Sequence, residues 1–226
     1  MAETDFIKII AHIKSDFSEK FGIPRQSGLT KNLSRIIFEE EFRNPDALRG
    51  IDGYSHLWLI WKFSESVREG WSPTVRPPRL GGNTRVGVFA TRSPFRPNPL
   101  GLSSVELVGV EKTSDGTTLL VRGADLLDGT PIYDIKPYLA FTDSHEDAVG
   151  GFSDSRLSYS LNVVFPDELK KHFSESELEI LKELLAQDPR PAYIDDKGRI
   201  YGLAFAKKQV KFTVVNDTLT VISIEE

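Results

Sequence analysis

Short runs of apolar and β-branched residues, separated by turn residues, dominate the middle of the chain. TRVGVFAT, LSSVELVGVEKT, TTLLVRGADL and IYDIKPYLA follow one another closely, with SDG at 114–116 and LDGTP at 127–131 between them. Short apolar segments at this spacing predict strands, and their number predicts a closed or nearly closed β-barrel. Residues 6–14 predict a first strand, and YSHLWLIWKF, with aromatic and aliphatic residues on both faces, predicts a fully buried one. Between them, EKFGIPRQSGLTKN reads as a long polar loop broken by Gly22, Pro24 and Gly28, and Asn44 to Gly50 as a short helical turn. After YSLNVVF the pattern changes. SESELEILKELLAQ places Leu178, Leu181 and Leu185 at helical spacing, behind Ser174 and Glu177 set as a capping box. The tail then reads as strands joined at DDKG and VND. The expected fold is mainly β: an N-terminal barrel over residues 1–165 and a small α+β domain over 166–226, meeting at Phe165 and Pro166.

Composition narrows the chemistry. Of 226 residues, 39% are hydrophobic and 27% charged, as in soluble globular proteins. There is no cysteine, so disulfides, thiolate metal sites and cysteine nucleophiles are excluded. The N-terminal residues lack the pattern of a signal peptide, and LWLIW is far too short to span a bilayer. A cytoplasmic, membrane-free protein is expected. The net charge of −5 argues against a general polyanion binder, but from Gly70 to Val105 there is no acid and no lysine. That window holds Arg76, Arg79, Arg85, Arg92 and Arg96, whose planar forks suit phosphate or carboxylate. A basic face balanced by acids elsewhere in the fold is the alternative. Within the window, ATRSPFRPNPLGLSSVEL carries prolines at 94, 97 and 99, which fix φ at three sites and stiffen the loop around Arg92 and Arg96.

Several chemistries are missing. No two glycines stand two residues apart, which removes the G-x-G-x-x-G dinucleotide fingerprint, and no phosphate-binding loop or G-x-S-x-G elbow occurs. Histidines 12, 56, 145 and 172 are scattered, so no metal site is expected. His56, beside Tyr54 and Trp58, reads as a satisfied core histidine. Asp134 and Lys136 point to one face of a strand, next to Tyr133 and Tyr138. They fit a surface ion pair or an acid/base group equally well. Gln26 offers a donor and an acceptor, and Gly28 frees the backbone beside it.

The stretches FGIPRQSGL, RGIDGYSHLWLIWKF, WSPTVRPPRLGGNTRVGVFATRSPFRPNPLGLSSVEL and DLLDGTPIYDIKPYL resemble the successive motifs of the TrmO (also YaeB or TsaA-like) family of tRNA N6-methyltransferases, over residues 5–145. LLAQDPRPAYIDDKGRIYGL resembles the C-terminal domain of the bacterial members. The resemblance implies a homodimer whose non-Rossmann barrel binds S-adenosylmethionine. It also implies a substrate: N6 of the threonylcarbamoyl-adenosine just 3′ of the anticodon in certain threonine tRNAs. By resemblance, the cofactor contacts fall on Gln26, Ser27, Gly28, Arg92, Leu102, Asp128, Gly129, Thr130 and Pro131. Ser64 and Glu65 join them, although relatives often have histidine where Ser64 stands. Arg76, Arg79 and Arg96 are expected to meet the anticodon stem-loop, Arg96 at a phosphate or the threonyl carboxylate. An acylated N6 is a poor nucleophile whose proton must leave, and Asp134, oriented by Lys136 with Tyr138 in reserve, is the expected base. Two other readings remain: a tRNA- or anion-binding barrel without catalysis, and a methyltransferase with a small-molecule acceptor.

Overall fold

The computed structural model describes residues 6–66, 70–77, 80, 84–114, 116–156, 159–190 and 198–225. Strands β1 (Ala11–Lys14), β2 (Leu33–Phe38), β3 (His56–Lys62), β4 (Thr74–Val75), β5 (Val86–Gly87), β6 (Leu100–Thr113), β7 (Gly116–Arg122) and β8 (Pro131–Pro137) form the N-terminal part. Antiparallel pairing runs β1–β2–β7–β6–β3–β8, and β8 pairs with β1 again through Ala11 and Ile132. The pairing therefore goes all the way round six strands. Side chains of one parity fill the interior: Ala11, Ile13, Ile36, Leu57, Leu59, Val105, Leu119, Val121 and Ile132 are all essentially inaccessible. Each large one removed from water contributes about 1.5–3 kcal/mol.

Strand β3 departs from expectation. Leu57, Leu59 and Trp61 are buried, but the alternate residues Trp58 and Ile60 are only half-buried. They stand on the outside of the ring, where single side chains such as Tyr138, 5.4 Å from Trp58 between ring centres, cover them incompletely. His56 is exposed rather than in the core, because it opens the strand with outward parity; its ring meets the Ser55 hydroxyl at 3.0 Å. The first strand begins at Ala11 instead of residue 6, leaving Phe6 almost wholly exposed. TRVGVFAT shortens to β5, paired with β4, followed by a 3₁₀ turn at Val88–Ala90. Strand β2 occupies a stretch with no expected element; its buried Ser34, Ile36 and Phe38 alternate with outward residues. Two 3₁₀ turns, Pro45–Leu48 and Ile51–Gly53, stand near the expected helical turn.

Helices α1 (Ala140–Asp143), α2 (Asp167–Lys170) and α3 (Glu175–Ala186) follow, with β9 (Asn162–Val164), β10 (Tyr201–Phe205), β11 (Lys208–Val215) and β12 (Thr218–Glu225). The last four form one sheet in the order β10–β11–β12–β9. Strand β9 belongs to it although it precedes Phe165 and Pro166 in sequence. Helix α3 begins as expected: the Ser174 hydroxyl accepts from the Glu177 amide while the Glu177 carboxylate accepts from the Ser174 amide. Leu181, Leu184 and Leu185 seat it on the sheet. The chain reverses at VND, with Asn216 at φ 55°, and also at Ala206–Lys207. There both central residues have positive φ, as a primed two-residue hairpin turn requires, without the glycine that usually marks one. Most of DDKG lies outside the described residues. The core of this second part also takes in Phe17, Phe21 and Ile23, from the loop that leads to Gln26.

Candidate active site

A cleft of about 800 Å³ opens at one end of the ring, within the size range of small-molecule sites. Three segments wall it: Lys20 to Gln26, Trp61 to Ser66 at the exit of β3, and Phe89 to Leu102; its floor is Asp125, Leu127 and Thr130. The arginine loop is rigid for a second reason besides its prolines, since its own polar groups bond within it. The Thr91 hydroxyl donates to the Val88 carbonyl and accepts from the Ser93 amide, and the Ser93 hydroxyl accepts from the Phe95 amide. Arg92 leaves this loop to donate to the Gln26 side-chain oxygen across the cleft. Arg96 folds back, donating to the Thr91 carbonyl at 3.1 Å. Gly28 has φ 77°, a region that favours glycine, and its amide donates to the Gly123 carbonyl at 2.8 Å.

The cleft gathers Gln26, Ser64, Glu65, Arg92, Leu102, Thr130 and Arg96 from the residues expected to bind cofactor or substrate. Ser27 and Gly28 follow Gln26 in the chain but do not line the cleft. Asp128, Gly129 and Pro131 do not line it. The Asp128 carboxylate accepts from Lys14 Nζ at 2.6 Å and from the Ser15 amide at 2.9 Å, while Gly129, at φ 76°, donates to the Ile13 carbonyl. These residues fasten the Leu127–Pro131 turn to β1 and so hold Thr130 in the floor. Arg76 is exposed near β4 and does not line the cleft; Arg79 lies outside the described residues.

Asp134, Lys136 and Tyr138 do not line the cleft either. Asp134 and Lys136 form an ion pair at 2.8 Å with both side chains substantially exposed. Leu102, Ile60 and Asp134 occupy one cross-strand row, and two strand spacings put Asp134 roughly 10 Å from Leu102. Tyr138 lies against Trp58, whose indole donates to Asp143 at 2.8 Å.

A different carboxyl is in the floor. Ala124 and Leu126 are completely buried on either side of Asp125, so the carboxyl between them faces the cleft. The indole N–H of Trp61 donates to the Ser103 hydroxyl at 2.9 Å, and that hydroxyl donates to Asp125 Oδ1 at 2.6 Å. Burial raises the Asp125 pKa above the ordinary aspartate value, outweighing the hydrogen bond from Ser103, the charge of Arg92 and the Ser27 amide. Trp61 owes its position to Gly101, where a Cβ would stand 2.2 Å from the indole. Sequence pattern gives little sign of this relay: its only trace is an acid between apolar residues in GADLL. At the mouth, the exposed ring of Phe89 lies 6.2 Å from that of Trp71, inside the acid-free window.

A strand ring with a rigid arginine-and-amide cleft at one end defines a mainly β protein with a polar cleft of small-molecule size. The chain belongs to the TrmO family: the model of the tRNA-methyltransferase O N-terminal domain matches residues 12–144, and that of the TrmO C-terminal domain residues 158–226. It is 41% identical over 225 residues to the tRNA (adenine(37)-N6)-methyltransferase of Escherichia coli (strain K12), covering 96% of each chain. It is 40% identical over 210 residues to a putative S-adenosylmethionine-dependent methyltransferase, RcsF, of Pseudomonas aeruginosa, covering 88% of each. The crystal structure of TrmO from Pseudomonas aeruginosa superposes with a TM-score of 0.79 at 30% identity, over 99% of both chains.

Proposed function

We propose that this chain transfers a methyl group from S-adenosylmethionine to N6 of the adenosine 3′ of the anticodon in tRNA, in its threonylcarbamoylated form. The observation that carries the reading is the convergence in one cleft of Gln26, Ser64, Glu65, Arg92, Leu102 and Thr130, from four separate segments, beside the arginine window. The donor set fits the cofactor. When bound, S-adenosylmethionine supplies an electrophilic methyl carried on a positively charged sulfur. The carboxylate of Glu65 and the faces of Trp61 and Phe63 suit that cation, while Arg92 and Gln26 suit the carboxylate of its amino-acid end. A rigid floor would favour the in-line placement of acceptor and methyl that transfer needs. Exposed Phe89 and Trp71 give an unstacked base an aromatic face, and Arg76 and Arg96 give its backbone cations. We further propose a cytoplasmic homodimer, which would join two arginine windows on a chain of net charge −5, and a non-Rossmann barrel, residues 1–165, assisted by the domain at 166–226.

The test is incubation with labelled S-adenosylmethionine and total tRNA from cells with and without the threonylcarbamoyl modification, followed by mass spectrometry of nucleosides. Label is expected on N6 of the modified adenosine only. Cofactor heat in calorimetry without label on any nucleoside would indicate a binding module instead. Phe89→Ala is expected to raise the KM for tRNA by roughly 5- to 150-fold, the worth of one stacked base, with cofactor affinity unchanged.

A further inference from the structure

We infer that Asp125 is the catalytic base of this methyl transfer: a carboxyl fixed on the cleft floor by Ser103 takes the N6 proton of the acceptor. The inference rests on the function proposed above and assigns its proton-accepting step. As the bond from N6 to the methyl carbon forms from the nitrogen lone pair, the electron pair of the methyl–sulfur bond goes to sulfur and the N6–H proton goes to the Asp125 carboxylate. Charge and atoms balance with no further reactant.

Three observations converge on this residue. The first is position: Asp125 and Glu65 are the acids among the described residues that line the cleft, and Glu65 is exposed at its rim. The second is the relay from Trp61 through Ser103. Both residues are buried, at 7% and 1% exposure, on neighbouring strands β3 and β6. Ser103 is an inward-facing residue of β6, where an apolar side chain would pack the ring without needing a partner. The polar relay fixes Oδ1 by a donor that is itself fixed, the base-and-orienter arrangement of acid–base sites. The third is protonation. Burial moves the carboxyl towards neutrality, so it holds a captured proton better than a solvated aspartate does. Arg92 and the Ser27 amide oppose that shift without cancelling it, and Arg92 shares its donors with Gln26. The other charged groups lining the cleft are Lys20, Arg25, Lys62, Glu65 and Arg96.

The test compares Asp125→Asn, Asp134→Asn and Ser103→Ala in the full chain, using tRNA that carries the threonylcarbamoyl group. Asp125→Asn is expected to lower kcat at saturating cofactor by roughly 10²- to 10⁴-fold, with the calorimetric Kd for S-adenosylmethionine within a few fold of wild type. In the cofactor-free protein, ¹³C NMR of the Asp125 carboxyl should titrate above the ordinary aspartate value of 3.8. Ser103→Ala removes a donor to the carboxylate, so it should move that titration and the acid limb of kcat upward together, and Ser103→Thr should restore both. A kcat for Asp125→Asn within about fivefold of wild type overturns the assignment. So does a loss confined to cofactor Kd, which would make Asp125 a cofactor ligand, or a larger kcat loss in Asp134→Asn. Wild-type protein that labels no tRNA would instead refute the proposed function.

Discussion

Gly101→Ala tests whether the cleft floor is as tightly specified as the structure indicates. A Cβ at Gly101 would stand 2.2, 2.4 and 2.6 Å from three atoms of the Trp61 indole, all below real carbon contacts. The neighbour is a rigid ring held by its own hydrogen bond to Ser103, with Phe63 at 4.3 Å between ring centres on one side. Relief must therefore come from displacing the indole. Overpacking of this kind costs about 1–3 kcal/mol, and losing the Trp61–Ser103 hydrogen bond adds about 0.5–1.5 kcal/mol. At about 2–4 °C per kcal/mol for a chain of this size, the expected fall in Tm is on the order of 3–18 °C. Thermal melts followed by tryptophan fluorescence read both effects, since Trp61 is one of three tryptophans. The cause can be isolated with Trp61→Leu. If the clash dominates, Gly101→Ala should cost much less in that background, giving a coupling of at least about 1 kcal/mol in a double-mutant cycle. Additive effects, or a Gly101→Ala protein that melts within 1 °C or so of wild type with unchanged fluorescence, would refute the close approach of strand and indole.

Arg92→Lys keeps the charge but loses the planar fork that spans the cleft to Gln26, and calorimetry should show cofactor binding weakened by roughly 10- to 100-fold. Ser174→Ala removes the hydroxyl half of the capping box on α3, leaving the amide at 174 to donate to Glu177, and should cost about 1 kcal/mol in urea denaturation at pH 7. The Ser174 amide and hydroxyl lower the Glu177 pKa below 4.5, so that stabilisation is present above pH 4.5 and fades as pH falls through the depressed value; the gap between wild type and Ser174→Ala should narrow over the same range by the share of the hydroxyl–carboxylate bond alone. Asp188 holds Arg190 through two charge-assisted bonds of 2.8 and 2.9 Å and accepts from the Tyr159 hydroxyl at 2.7 Å, with the carboxyl and guanidinium largely buried. Asp188→Ala should destabilise by roughly 3–5 kcal/mol in the same denaturation assay, because it strands the arginine charge.

Elements whose signals are local were legible in the sequence. Helix α3 announces itself by leucine spacing and by Ser174 with Glu177, and β6, β7 and β8 by apolar runs bounded at SDG and LDGTP. The pairing order was not, because β2 to β7 and β8 to β1 join segments far apart in the chain, and nothing in either partner alone encodes the match. The Ala206–Lys207 turn escaped notice for lack of glycine. In the cleft, residues carried by distinctive motifs, such as Gln26, Arg92 and Thr130, were identifiable by resemblance. Asp125 was not, since its character comes from burial and from Ser103 and Trp61, which are neighbours only in the folded ring. Asp134 and Lys136 drew attention because same-face charges on a strand are visible in a sequence, whereas distance from a cleft is not.

Phe17 is buried in the core of the C-terminal part and the half-buried Phe21 and Ile23 pack against it, and three further ties hold the same loop: Gly22 lies under Leu203, the Lys31 amide donates to Glu183, and Gln187 donates to the Leu29 carbonyl. The apolar stretch leading to Gln26 is thus stapled to helix α3 and its sheet, while the Gly28 amide on the Gly123 carbonyl ties the residues after Gln26 to the strand ring. In hydrogen-exchange terms, the apolar stretch should open with the C-terminal unit and share its protection, while the Phe89–Leu102 wall opens with the ring. The two sides of one binding site then belong to different cooperative units. A ligand that bridges Gln26 and Arg92 would couple them, so its occupancy should be felt as added stability in a domain that never touches it.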